Sequence, residues 1–195
     1  MHNRSLISQI FVLFLFCSVA WVQGNGRNIW AAFVLNPNAI NYKICQDQIN
    51  DSLSGKYKRL NSPTYVQLLE NDLIWKVLEL IDKRNRYATE LCFQFYPLFY
   101  GHSELQEFFN IHLGRLIKTD PEFFLRSFKR YVYRNRQYLY DVNGMLGNYG
   151  DEFVDNSDKQ LNETKKRIES LERVKGERYK EVRDYCIDIL KTFLK

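Results

Sequence analysis

Beyond residue 36, apolar residues recur at three- and four-residue steps along almost the whole chain. That is the period of helices that bury one stripe. The pattern predicts helices over residues 37–54, 63–83, 86–99, 103–118, 121–141, 158–174 and 177–194. Three of the starts place a capping residue before a proline: Asn36-Pro37, Ser62-Pro63 and Asp120-Pro121. A capping side chain accepts from free N–H groups of the first turn, and proline at the first position gives up no hydrogen bond there. Ser103 with Gln106 and Ser157 with Gln160 have the spacing of a capping box or a close variant. The segment NIWAAFVL at 28–35 is the one candidate strand, with a loop packed on the core as the alternative.

These elements predict an all-α fold of about six to seven helices packed as antiparallel pairs. From residue 62 the pairs begin near 62, 103 and 157, at spacings of 41 and 54 residues. A step of about 40 residues suits an α-solenoid-like (HEAT-like) stack, and an irregular helical bundle is the alternative. Residues 144–156 read as a flexible glycine-rich and acidic loop. Residues 157–195 read as a charge-rich helical pair that caps the stack, with Gly176 at its turn and Glu163–Arg167 and Glu169–Arg173 as i,i+4 ion pairs. A coiled-coil partner surface on this pair is the alternative to capping.

The first 24 residues have a different pattern. Arg4 precedes an apolar run at 10–22 broken only by Ser18, with Ser18 and Ala20 as small residues within it and Gly24 after it. This is the layout of a secretory signal peptide cut near Gly24, leaving residues 25–195 as a single secreted or periplasmic domain. At 1.5 Å per residue the run would span only about 20 Å, short of the roughly 30 Å hydrocarbon core, which argues against the alternative of an N-terminal membrane anchor. Cleavage would remove one positive charge from a formal +5, so the domain is only mildly basic. Cys45, Cys92 and Cys186 would remain. In an oxidising compartment two of them could pair, but each sits on an apolar helical stripe, where free cysteine behaves as a small buried hydrophobe. Asn50 in NDS and Asn162 in NET match the glycosylation pattern, which is cheap in so asparagine-rich a chain.

The stretch FKRYVYRNRQYLYD at 128–141 interleaves basic and aromatic residues. On a continuous helix most of its aromatic residues turn to the core. Arg126, Lys129, Arg130 and Gln137 gather on the opposite face, with Tyr133 and Tyr140 at its centre and Arg115 and Lys118 extending it. These six residues, Arg126, Lys129, Arg130, Tyr133, Gln137 and Tyr140, are the candidate binding site. An ordinary solvated helix face is the simpler reading. For an exported chain the fitting partner is an acidic protein or an anionic surface polymer or lipid, and nucleic acid is disfavoured.

Candidate chemistry is sparse. His112 shares the face of Leu105, Phe108, Phe109 and Leu116, so it reads as a core or groove histidine, and no HExxH pair is present. Gly144, Gly147 and Gly150 lack phosphate-loop spacing and follow a predicted helix instead of a strand. There is no GxSxG, no zinc-ligand spacing and no cofactor motif. The chain therefore reads as a non-catalytic binding module. The alternatives are a helical envelope-polymer hydrolase or lyase with a buried Glu or Asp as general acid, and an assembly protein acting through its C-terminal helices.

Overall fold

The computed structural model describes residues 28–135 and 138–195; the signal-peptide reading of residues 1–24 lies outside them. The described chain is all helical, with no strand among the described residues. The candidate strand is a helix, α1 (Ile29–Leu35), started by Asn28, whose side chain accepts from the N–H groups of Trp30 and Ala31. A short apolar run cannot be assigned by periodicity alone. Here the cap and the three-residue spacing of Trp30 and Phe33, both fully buried, decide for helix.

Next comes α2 (Ala39–Leu53), capped by Asn38, two residues later than the Asn36-Pro37 start. The predicted helix over 63–83 is two helices, α3 (Pro63–Leu69) and α4 (Leu73–Asp82). Between them Asn71 and Asp72 take positive φ, 51° and 57°. Asn and Asp tolerate this left-handed conformation better than most residues. The break redirects α4 so that Leu73, Ile74, Val77, Leu78 and Ile81 are buried. Helix α5 (Arg86–Phe95) runs into a 3₁₀ turn at Tyr96–Phe99, and every residue from 91 to 99 is buried. A segment apolar on all sides belongs in the middle of a helical protein, and Trp30, Phe95, Phe99 and Phe109 meet there with ring centroids 5.4–5.7 Å apart.

The second half contains α6 (Ser103–Thr119), α7 (Pro121–Phe128), α8 (Val142–Gly147), α9 (Ser157–Glu172) and α10 (Lys180–Thr192). The two capping boxes are only partly realised. His102 precedes α6, and Gln106 accepts from the Gly101 N–H. Asn156, not Ser157, caps α9 through the Lys159 N–H. Helix count exceeds the expected six to seven because the segment 63–83 is divided by a kink, the candidate strand is helix α1 and the glycine-rich segment opens with helix α8. Contacts also cross between pairs: α1 touches α2, α3 and α4, α9 touches α6 and α7, and α8 touches α6 and α10. A repeat stack touches only its neighbours, so the solenoid-like reading receives no support from these contacts.

The C-terminal pair is built into the core. Arg167, 1% exposed, donates from Nη1 to the Leu146 carbonyl at 2.6 Å and from Nη2 to the Asn148 carbonyl at 3.0 Å. Its guanidinium lies 4.4 Å from the Tyr149 ring centroid. Burial pulls its pKa down to about 10, which still leaves it cationic at neutral pH. Its partner Glu163, with Nε–Oε1 at 4.0 Å, is also buried and pairs with Lys118 at 2.7 Å. The predicted i,i+4 pair is thus an interior clamp on the glycine-rich segment. That segment opens with α8 and carries a 3₁₀ turn at Asp151–Phe153, where a plain loop over 144–156 was expected.

Gly114 makes room for this clamp: a Cβ there would stand 2.6 Å from the Met145 carbonyl oxygen and 2.9 Å from Arg167 Nη1. Gly114→Ala is expected to lower stability by about 1–3 kcal/mol in urea unfolding, the usual cost of overpacking. A change within about 0.5 kcal/mol would contradict this close packing.

Candidate functional site

The basic aromatic stretch begins as expected. Asp120 caps α7 by accepting from the Phe123 N–H at 3.2 Å, and Pro121 occupies the first position. From Lys129 to Tyr133 the chain widens into a π turn, closed by the Arg134 N–H on the Lys129 carbonyl at 3.2 Å. The helix then ends, against the expectation of helix to residue 141, and Leu139 and Tyr140 are not helical. Arg136 and Gln137, the latter one of the six candidate residues, lie outside the described residues.

The reason lies at Pro97, 43 residues before Tyr140. The Phe93 carbonyl in α5 would normally accept from the N–H four residues on, but that residue is Pro97, which has none. The Tyr140 hydroxyl supplies the missing donor at 2.9 Å, and its ring stacks on Tyr96 at 5.2 Å. Burial pushes the Tyr140 phenol pKa well above its ordinary value. Tyr140 is therefore part of the interior and not of a basic face.

The remaining candidates divide. Lys129 donates its ammonium to the Arg178 carbonyl, and the Tyr133 hydroxyl donates to Glu181 at 2.8 Å while its ring meets Tyr185 edge-on at 5.1 Å. Both are turned onto the start of α10. Arg126 and Arg130 point outward. The Arg126 guanidinium lies over Phe123 at 4.9 Å and that of Arg130 over Tyr131 at 5.1 Å. Neither has a carboxylate within 4.0 Å among the described residues. Arg115 and Lys118 do not extend this ridge as free cations: Arg115 pairs with Asp82 at 3.7 Å and Lys118 with Glu163 at 2.7 Å.

Beside Tyr131 is a polar cluster that links α2, α5 and the π turn. Tyr42 donates to Glu90 at 3.0 Å, and Gln46 donates to the Gln94 side-chain oxygen at 3.1 Å. The buried Gln94 amide donates toward the Tyr131 hydroxyl at 3.3 Å and the Glu90 carbonyl at 3.2 Å. Burial raises the phenol pKa of Tyr42 and of Tyr131, with the Glu90 charge adding to it. The signal for this cluster was Gln94 itself, one polar residue inside the apolar run LCFQFYPLF.

On the other side of the π turn, Phe128, Val132, Tyr133, Tyr138, Tyr140 and Tyr185 line a cavity of about 260 Å³. Catalytic constellations are weaker. His112 Nδ1 meets Asp82 Oδ1 at 2.8 Å in a half-buried pair that Arg115 also approaches. No group of three or more metal-ligating side chains occurs among the described residues. Cys45, Cys92 and Cys186 are free and fully buried, and burial pushes each thiol pKa far up, so none is a ready nucleophile. Comparison with family models, curated proteins and solved structures yields no match.

Tyr140→Phe strands the Phe93 carbonyl and is expected to cost about 1–3 kcal/mol in urea unfolding. Tyr133→Phe, whose bond to Glu181 is exposed, should cost less. Equal effects of the two substitutions would contradict the special role given to Tyr140.

Proposed function

We propose that this chain is an exported, helical, non-catalytic binding module that takes an anionic partner on Arg126 and Arg130. The observation that carries the reading is the state of these two side chains. They are one helical turn apart, exposed, and each is laid on an aromatic face without a carboxylate partner among the described residues. Neighbouring cations are in a different state: Arg86 pairs with Asp120 at 3.0 Å and Arg178 with Glu122 at 2.6 Å. A guanidinium stacked on a ring keeps its N–H edge free and loses little further freedom on binding, which suits bidentate contact with carboxylate, phosphate or sulfate.

The partner class follows from the export reading of residues 1–24: an acidic protein, an anionic surface polymer or an anionic lipid. The test is binding of the purified chain to anionic vesicles, a sulfated polysaccharide, a cell-wall polymer and DNA at low and high salt. The Arg126→Glu/Arg130→Glu variant is run beside it after circular dichroism has shown it folded. Binding to one of the first three that weakens with salt, and that the variant loses by about tenfold or more, is expected for two guanidinium contacts to an anion. Equal binding by the variant would return the ridge to ordinary solvated surface, and preference for DNA would overturn the partner class.

A further inference from the structure

The cavity beside the π turn has chemistry of its own. Neither Arg126 nor Arg130 lines it, and no ionised side chain belongs to its described lining. Four tyrosines do. Two of them are fixed in place: Tyr140 by the Phe93 carbonyl and by stacking on Tyr96, Tyr133 by Glu181 and the edge of Tyr185. Phe128, fully buried, forms part of the apolar wall. The Phe93 carbonyl, Tyr96 and Glu181, none of which is among the described lining residues, thus hold two of the walls. Tyr138 and Tyr185 supply the other phenols, both partly exposed, and their hydroxyls have no hydrogen-bond partner among the described residues.

We propose that this cavity binds one ring of an uncharged sugar. Each property of the lining narrows the ligand. Among the described lining residues no ionised group would compensate a desolvated charge, which favours a neutral molecule. Aromatic faces suit the C–H face of a pyranose, and phenols can donate to and accept from its hydroxyls. A wholly apolar ring would fill the space but leave the Tyr138 and Tyr185 hydroxyls without partners. At about 260 Å³ the cavity is smaller than the roughly 300–1,000 Å³ that encloses a drug-sized ligand, so it admits a single ring, with any attached chain left outside. This inference is independent of the cationic ridge of Arg126 and Arg130 and concerns different side chains.

The test is saturation-transfer NMR on the full chain with glucose, galactose, mannose and N-acetylglucosamine at millimolar concentration, with toluene as the apolar comparison. At least one sugar is expected to bind saturably through its ring protons. Tyr138→Phe and Tyr185→Phe, which retain the rings, should each weaken it about fivefold through loss of one neutral hydrogen bond. Tyr185→Ala should weaken it further, and Tyr57→Phe, outside the cavity, should leave it unchanged. The proposal is overturned if no sugar in the panel binds, if toluene alone gives a signal, or if both phenylalanine variants bind the sugar as the parent does.

Discussion

One missing hydrogen-bond donor organises the middle of this protein. Pro97 cannot serve the Phe93 carbonyl, and that carbonyl lies in a segment from which water is excluded on every side. An unpaired buried acceptor would cost about 1–3 kcal/mol. The Tyr140 hydroxyl removes the cost, but only if the chain leaves its helix and crosses to α5. Once it crosses, the neighbouring residues take fixed places. Asp141 caps α8 through the Gly144 N–H at 2.8 Å and accepts from Asn110 at 3.0 Å. Asn110 in turn accepts from the Tyr96 hydroxyl at 2.9 Å. Helix α8 then presents the Leu146 carbonyl, with that of Asn148 just beyond it, to Arg167. A run of hydrogen-bonded polar groups thus extends from α5 to α9 through an otherwise apolar interior.

This arrangement explains what could be read in the sequence and what could not. The helical class was visible beyond residue 36, because most of the helices there bury a stripe of regular period. The caps at Ser62 and Asp120 were also visible and do accept from the predicted first-turn N–H groups. Kinks were harder. Asn71 and Asp72 tolerate left-handed backbone, but their use depends on where α4 must pack, which is tertiary information. The end of the helix near residue 134 was invisible locally: periodicity over 121–141 favours a continuous helix, and the demand that breaks it comes from Pro97.

The candidate site was legible to a similar degree. Arg126 and Arg130 were found because charge on a helix face needs only the helical period. Lys129 and Tyr133 were grouped with them because their partners, Arg178 and Glu181, lie roughly 50 residues away and no local pattern announces them. The Glu163–Arg167 pair shows the same blindness in reverse. Its i,i+4 spacing is that of countless surface pairs, yet here both charges are buried, because the Leu146 carbonyl near the end of α8 and the Asn148 carbonyl just beyond it need donors. The π turn links the two candidate surfaces. It carries Arg130 beside Tyr131 and turns Tyr133 and Val132 toward the tyrosine-lined cavity.

The central claim is that satisfying the Phe93 carbonyl overrides the local helical preference of the basic aromatic stretch. Backbone carbon chemical shifts across residues 121–141 of the folded chain test it most directly. The account predicts helical shifts through Phe128 and their loss by Leu139 and Tyr140. Continuous helical shifts from Pro121 to Asp141 would contradict it, and would put Tyr140 back on the exposed face with Arg126 and Arg130.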